Sequence, residues 1–383
     1  MKKVGLVTIV DYKNYGNRLQ NYAAQQVLRS IGCEVTTIVN KPANKADGKV
    51  NKKFVDKLKG KSFSDLVRIV INRINRNKHE KAFNNKVQAF KSFSSRNINE
   101  SDFIIKVDLI PENLGESFDY FIVGSDQVWN PIYRKGSPID FLTFAPQNKR
   151  VAYAPSFGIA EIPDKYISQY TKWLSEFNHL SVREDAGADI IKNLTSREAS
   201  VLVDPTVMLT KDEWLSIAKP HKLKPNTPFL LTYFLGEVPK EVKGLISKLS
   251  TKYKLEVVNL GSYEQIERYA ADPSEFIDYV NSSNIFLTDS FHGAVFSIIL
   301  EKQFIIFDRV TKVPSMNSRI DTLLTKFSLI NRKWESVKQS QDYFGADFSH
   351  TGSIFEKERS KAYSYLRNAL DIGGANNYES NVQ

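Results

Sequence analysis

The run Thr288-Asp289-Ser290-Phe291-His292-Gly293 places a carboxylate, two hydroxyls and an imidazole where a buried strand ends and a helix begins. In open α/β sheets, ligands collect at such strand ends. The helix after Gly293 would offer unpaired backbone N–H groups and the positive end of its dipole, a setting for a phosphate or carboxylate. His292 adds a group that titrates near neutrality, although a histidine in such a place can also be a satisfied structural residue. Ser181-Val182-Arg183-Glu184 closes another strand with a guanidinium. That group suits bidentate contact with the same anions, or a plain salt bridge to Glu184 or Asp185.

Three further segments face the same presumed cleft. Gly124-Ser125-Asp126-Gln127-Val128-Trp129-Asn130 follows a strand and joins polar side chains to what reads as an exposed aromatic, a mixture suited to sugar. The alternative is a loop whose Asp126 caps a short helix. Asn14-Tyr15-Gly16-Asn17-Arg18 lies between the first strand and the first helix, either as part of the cleft or only as an N-cap with a turn glycine. Asn317-Ser318-Arg319 precedes the helical pattern Ile320, Leu323, Leu324, so Arg319 is a second cation for an anionic ligand or a surface arginine of a first turn.

The elements that must position these groups alternate between strand and helix, the pattern of α/β layering on mainly parallel sheets. Lys3 to Val10, Glu34 to Val39, Tyr120 to Val123, Arg150 to Ala154, His179 to Val182 and Val201 to Val203 read as strands. Helices are expected at Arg18 to Ser30, Asp164 to Glu176 and Glu184 to Asn193. A second round follows the proline-punctuated stretch Lys219-Pro220 to Lys224-Pro225. It has strands at Phe229 to Phe234, Leu255 to Leu260, Ile285 to Thr288 and Phe304 to Phe307, and helices at Pro239 to Tyr253, Pro273 to Ser282 and Ala294 to Leu300. This predicts two Rossmann-like domains facing across a cleft, 1–210 and 211–372. A last helix at about Phe355 to Leu370 is expected to pack back on the first domain, and a polar tail, 373–383, is expected to be disordered.

Composition narrows the chemistry. The 383 residues, 42% apolar and 25% charged, suit an ordinary globular chain of two domains. A single cysteine, Cys33, excludes a disulfide scaffold and a multi-thiolate zinc site. Met1-Lys2-Lys3 before Val4 to Val10 imitates a secretion signal, but Asp11 stops the run and no cleavage site follows, so it reads as a first strand. The longest apolar stretch, Ala294 to Leu300, falls short of the roughly 20 residues that span a bilayer. The expected location is the cytoplasm.

The net charge of +10 is regional. Lys41 to Lys91 holds 15 Lys or Arg against four acids, a local +11 that leaves the rest near −1, so nucleic acid is not an expected partner. Within this insertion, about 45–95, Leu66, Val67, Ile69, Val70, Ile71 and Ile74 suggest a basic amphipathic helix. It could touch the inner face of the cell membrane or pack its apolar side on the domain. No glycine pair has the spacing of a dinucleotide fingerprint, and no phosphate loop, D-x-D pair, H-E-x-x-H or G-x-S-x-G is present. Neither metal nor cofactor is expected.

The motifs taken together resemble the polysaccharide pyruvyl transferase family. The matching runs, in family order, are Asn14 to Ala23, Gly124 to Asn130, Ser181 to Glu184, Asp204-Pro205-Thr206 and Asp289 to Gly293. The resemblance implies a fold similar to the GT-B glycosyltransferases. It also implies metal-independent transfer of pyruvate from phosphoenolpyruvate, as co-substrate, to two hydroxyls of a capsular or exopolysaccharide unit. The ketal acceptor would be a saccharide that could be lipid-linked. In the family the arginine matching Arg183 and the histidine matching His292 lie at the phosphoenolpyruvate site.

Arg183 and His292 are thus expected to be catalytic, with Asp126 or Asp289 orienting or deprotonating the acceptor hydroxyl. Ser290, Phe291, Gly293 and Arg319 would bind the donor, and Asn17, Ser125, Gln127, Trp129 and Asn130 the acceptor. Two alternatives stand beside this reading: a nucleotide-sugar glycosyltransferase using the same helix-end anion site, and a catalytically silent component of capsule assembly.

Overall fold

The computed structural model describes residues 1–41, 63–310 and 318–373, and within the long second helix it describes side chains from residue 78 onward. The first half runs β1 (Lys2–Val7), α1 (Tyr15–Ser30), β2 (Cys33–Asn40), α2 (Phe63–Asn97), β3 (Glu100–Ile105), β4 (Tyr120–Val123), α3 (Pro131–Arg134), β5 (Arg150–Ala152), α4 (Asp164–Ser175), β6 (Ser181–Val182), α5 (Asp185–Thr195), β7 (Ser200–Val201), α6 (Pro205–Met208) and α7 (Lys211–Ser216). The second half runs β8 (Phe229–Tyr233), α8 (Lys240–Tyr253), β9 (Glu256–Asn259), α9 (Ile266–Tyr269), α10 (Pro273–Ser282), β10 (Ile285–Thr288), α11 (Phe291–Ile299), β11 (Phe304–Ile306), α12 (Ser318–Lys326), α13 (Trp334–Ser340) and α14 (Thr351–Ala369).

All strand pairs are parallel. The first sheet has the order β3-β2-β1-β4-β5, the second β11-β10-β8-β9, and β6-β7 form a small pair beside the first. Each large sheet reverses its winding once, between β1 and β4 in the first and between β8 and β10 in the second. Ligands bind outside the carboxyl ends of strands at such reversals. The central strands of the second sheet are continuous apolar runs because helices cover both faces: Ile285–Thr288 and Phe229–Tyr233 are buried throughout. Strand β3, Glu100-Ser-Asp-Phe-Ile-Ile, was not expected, since an edge strand that is half polar carries little pattern.

Each half keeps an apolar cluster of its own, one around Phe121, Trp129 and Phe141, the other around Leu230, Leu249 and Ile305. A third cluster joins them. In it Tyr15, Leu19 and Ala23 of α1 share a core with Phe276 of α10 and Phe291 and Val295 of α11. Helix α11 is buried on every side, which is why Ala294 to Leu300 is apolar but for Ser297, whose hydroxyl donates to the Gly293 carbonyl. Helix α14 lies on the first half, with Arg359 donating to the Val207 and Leu209 carbonyls and Tyr365 to that of Ala152. Lys41 is described, but the amphipathic stretch Leu66 to Ile74 has no described side chains, and the tail from residue 374 lies outside the described residues. Among the described residues no helix is long and apolar enough to cross a membrane.

Candidate active site

The residues predicted from two separate halves converge on one buried carboxylate, Asp204. Strand β6 delivers Arg183, whose Nη1 lies 2.6 Å from Asp204 Oδ2. From the turn after β4, Ser125 Oγ stands 2.9 Å from the same oxygen and 2.7 Å from the Ala154 carbonyl, its one proton serving one acceptor at a time. The backbone N–H and hydroxyl of Thr206 donate to Asp204 Oδ1 at 3.0 and 2.7 Å. From the second half, His292 brings Nε2 to 3.5 Å from Oδ2, a charge contact longer than a hydrogen bond. Burial alone would raise the Asp204 carboxyl. Its contacts with His292, Arg183 and Thr206 outweigh that and hold it far below the usual carboxylate range.

Helix α11 brings His292 to this carboxylate from its first turn. Ser290 caps it, accepting from the Gly293 N–H at 3.2 Å, and its own N–H donates to Thr288 Oγ1 at 3.0 Å. Phe291 carries two cations on its ring, the guanidinium of Arg183 at 4.4 Å and that of Arg319 at 5.7 Å. A side chain at Gly293 would press within 2.8 Å of Thr288, so this glycine allows the helix to close on its own strand. Gly16, at the start of α1, has the same function across the halves: a methyl there would overlap the His292 ring.

Several donors at this point are left unused. Arg183 is 4% exposed, yet its Nε and Nη2 have no hydrogen-bond partner, and His292 Nε2 and Arg309 Nε are in the same condition. Leaving a buried donor unmade costs about 1–3 kcal/mol, so a group of them facing a helix N-terminus fits an anion. Arg319, 4% exposed, is a buried cation rather than a surface one. Burial, then the charges of Arg183 and Arg309, push its guanidinium down to about 9.

Asp126 sits beside these cations with a left-handed φ of 66°, a conformation that costs energy, and its Oδ1 accepts from the Gln127 N–H at 2.8 Å. Its carboxylate accepts from Asn17 Nδ2 at 3.0 Å. Burial opposes its charge, but Arg183, His292, Asn17 and Arg319 hold it below the ordinary value, so it stays ionised. It does not cap the short helix that follows; Asn130 does, accepting from the N–H groups of Ile132 and Tyr133.

The remaining expected positions fall elsewhere. Trp129 is not exposed: it is fully buried against Phe141, Phe157 and Phe177, with Nε1 donating to the Asp140 carbonyl, because the polar residues around it serve the loop and not a ligand. Gln127 is half-buried and accepts from Asn130 Nδ2. Asp289 uses both carboxylate oxygens on the backbone N–H groups of Leu235 and Gly236, at 2.7 and 2.8 Å, which fastens the loop after β8. Arg183 pairs with Asp204 and not with Glu184, whose Oε1 instead accepts from Ser156, Phe157 and Gly158.

The sequence assigns no site role to Asp204, Arg309, Asp11 or Lys86. Asp204 stands in the sequence at a strand end, within the matching run Asp204-Pro205-Thr206, whose Thr206 is its one polar neighbour. Asp11 lies at the end of β1, its Oδ1 buried without a partner and its N–H donating to Asn17. Lys86 of α2 is buried with its ammonium over the rings of Tyr15 and Tyr269, both at 4.5 Å, and burial pushes it down to about 8.

The arrangement gathers buried cations with unpartnered donors beside the carboxylates of Asp204 and Asp126, between two parallel sheets. The profile of the family described as polysaccharide pyruvyl transferase matches residues 14–309, from the N-cap of α1 to Arg309. The chain belongs to that family. It is therefore a transferase of polysaccharide biosynthesis. No curated protein matches the sequence.

Among solved structures, UDP-GlcNAc 2-epimerase from Methanocaldococcus jannaschii is similar with a TM-score of 0.51 at 10% identity, over 97% of this chain and 100% of that one. The UDP co-structure of S. aureus MnaA gives 0.49 at 12% over 97% and 98%, and a glycosyltransferase from Rickettsia africae gives 0.43 at 12% over 97% and 95%. At such identities the likeness concerns the fold alone, which in this pyruvyl transferase is of the GT-B type. Among the described residues no group of three His, Cys, Asp or Glu side chains is placed to hold a metal ion.

Proposed function

We propose that this pyruvyl transferase moves pyruvate from phosphoenolpyruvate to two hydroxyls of a saccharide, forming a ketal in capsular or exopolysaccharide biosynthesis. The observation that carries the proposal is the set of unused buried donors, Arg183 Nε and Nη2 and His292 Nε2, at the N-terminus of α11. Such a site favours a compact anion. Protonation of the enol carbon C3 makes C2 electrophilic. The first sugar hydroxyl forms a bond to C2 and loses its proton, the C2–O bond to phosphate breaks, and a second hydroxyl closes the ketal with loss of its own proton. One proton remains on C3 and one leaves with phosphate, so the balance closes.

Arg183, Arg319 and the α11 N-terminus would stabilise the donor's charge as phosphate departs. His292 would serve as acid or phosphate partner, and Asp126, held ionised, would orient the acceptor hydroxyl with Asn17 beside it. The reaction would take place in the cytoplasm, at the inner face of the membrane if the acceptor is lipid-linked.

The experiment is thermal unfolding of the purified chain with phosphoenolpyruvate, phosphate alone and uridine or cytidine sugar nucleotides, since a ligand of the native state raises the midpoint. A rise with phosphoenolpyruvate that is lost in Arg183→Ala and His292→Ala supports the reading. A rise with a sugar nucleotide alone would move the function to glycosyl transfer.

A further inference from the structure

Strand β11 runs parallel beside β10, so the chain leaving Ile306 emerges at the same sheet end as the turn into α11. Arg309 turns back onto that turn. Its Nη2 donates to the Asp289 carbonyl at 3.2 Å and its Nε stands 3.5 Å from the Asp289 carboxylate. That carboxylate is already occupied by two backbone N–H groups, of Leu235 and Gly236. Nε of Arg309 is buried without a hydrogen-bond partner, like Nε and Nη2 of Arg183.

The cations with unused donors therefore sit on two sides of one helix terminus. Arg183 reaches it from the first sheet, over the Phe291 ring, and Arg309 reaches it from the second sheet, through Asp289. Arg319 feels the charge of both, which, after burial, helps to push its guanidinium down. A single small anion placed on Arg183 and His292 would leave the donor of Arg309 unused. A ligand with a second charged group would use both.

We propose that Arg309 is a specificity residue of this site: it binds the carboxylate of a donor whose phosphate is held by Arg183 and His292. The inference rests on the phosphoenolpyruvate reading and adds which cation takes which group. It makes Arg309 the residue that tells a phosphorylated carboxylic acid from phosphate itself.

Calorimetric titration of the full chain with phosphoenolpyruvate and, separately, with inorganic phosphate tests it in wild type, Arg309→Gln and Arg309→Lys. The expected result for Arg309→Gln is a loss of roughly 10- to 100-fold in phosphoenolpyruvate affinity, the range of one hydrogen bond to a charged group, with phosphate affinity unchanged. Arg309→Lys should recover part of the loss, and its unchanged phosphate binding shows that the site is folded. Equal losses for both ligands, or no loss for either, overturn the assignment. So does a wild-type protein that binds phosphate as tightly as phosphoenolpyruvate. A wild type that binds phosphate or nothing, and no phosphoenolpyruvate, overturns the donor reading from which the inference starts.

Discussion

Two buried arginine–aspartate pairs stand in the first half, and they differ in what they leave over. Arg134 meets Asp140 with two contacts, Nε to Oδ2 at 2.8 Å and Nη2 to Oδ1 at 2.5 Å, and Nη2 also donates to Asn40 at 2.7 Å. Arg183 meets Asp204 with Nη1 only, and its other two nitrogens are sealed from water and unused. Both arginine side chains are at most 5% exposed and both aspartates 0%, so burial does not distinguish them. Leftover capacity does. A guanidinium whose fork is filled holds the fold together, whereas one with empty N–H groups beside a helix N-terminus is waiting for a ligand.

The sharpest way to break this contrast is to remove one partner from each pair. Asp140→Asn leaves Arg134 charged and uncompensated in the core, and should destabilise the chain by about 3–5 kcal/mol, read by denaturant unfolding. The phosphoenolpyruvate-dependent rise in midpoint should survive in whatever remains folded. Arg183→Gln should do the reverse. Asp204 keeps Ser125 and both donors of Thr206, so unfolding should change far less, while turnover falls roughly 10²- to 10³-fold and the ligand-dependent rise disappears. If both variants lost stability alike and both kept the ligand response, leftover donors would not be a mark of function here.

Much of this was legible in the sequence, and the failures have physical causes. Tyr120–Val123 and Ile285–Thr288 have the bounds that their apolar runs suggest, because fully buried parallel strands leave little room for ambiguity. Arg183 and His292 could be singled out because strand ends in α/β sheets face the ligand side. Trp129 was misread because Gln127 and Asn130 look like ligand-binding polarity, while in the fold Asn130 caps α3 and donates to Gln127. Arg309 and Lys86 lie outside every short motif, and only tertiary packing brings them to the cleft. The pairing that matters most, Asp204 with Arg183 and His292, spans 88 residues of sequence between Asp204 and His292 and belongs to no local pattern.

A smaller perturbation tests whether the open pair depends on the two halves staying in register. Gly16→Ala adds a methyl that would overlap the His292 ring, so the imidazole must withdraw from Asp204 or α1 must shift. Overpacking of this kind costs about 1–3 kcal/mol, only partly offset by the better helix propensity of alanine. The expected outcome is a modest fall in midpoint together with about a tenfold weaker response to phosphoenolpyruvate, the scale of 1.4 kcal/mol. Arg134 and Asp140 bond to each other, and Arg134 to Asn40, so their pair should be unaffected. An unchanged ligand response would mean that His292 does not need its position against α1.

The smallest effect should come from Ser125→Ala, and it separates two roles for that hydroxyl. Ser125 lies 2.9 Å from Asp204 Oδ2 and 2.7 Å from the Ala154 carbonyl, with no part of it exposed, so its contact is with the buried carboxylate and the backbone rather than with open space. Removing one such hydrogen bond costs about 0.5–1.5 kcal/mol. If Ser125 steadies Asp204, phosphoenolpyruvate affinity falls severalfold, because Arg183 and His292 are aligned through that carboxylate, and the KM for the saccharide stays where it was. If Ser125 instead touched the acceptor, the saccharide KM would rise and donor binding would be untouched. The geometry favours the first outcome, because a hydroxyl already shared between a carboxylate and a carbonyl has no proton left to offer a sugar.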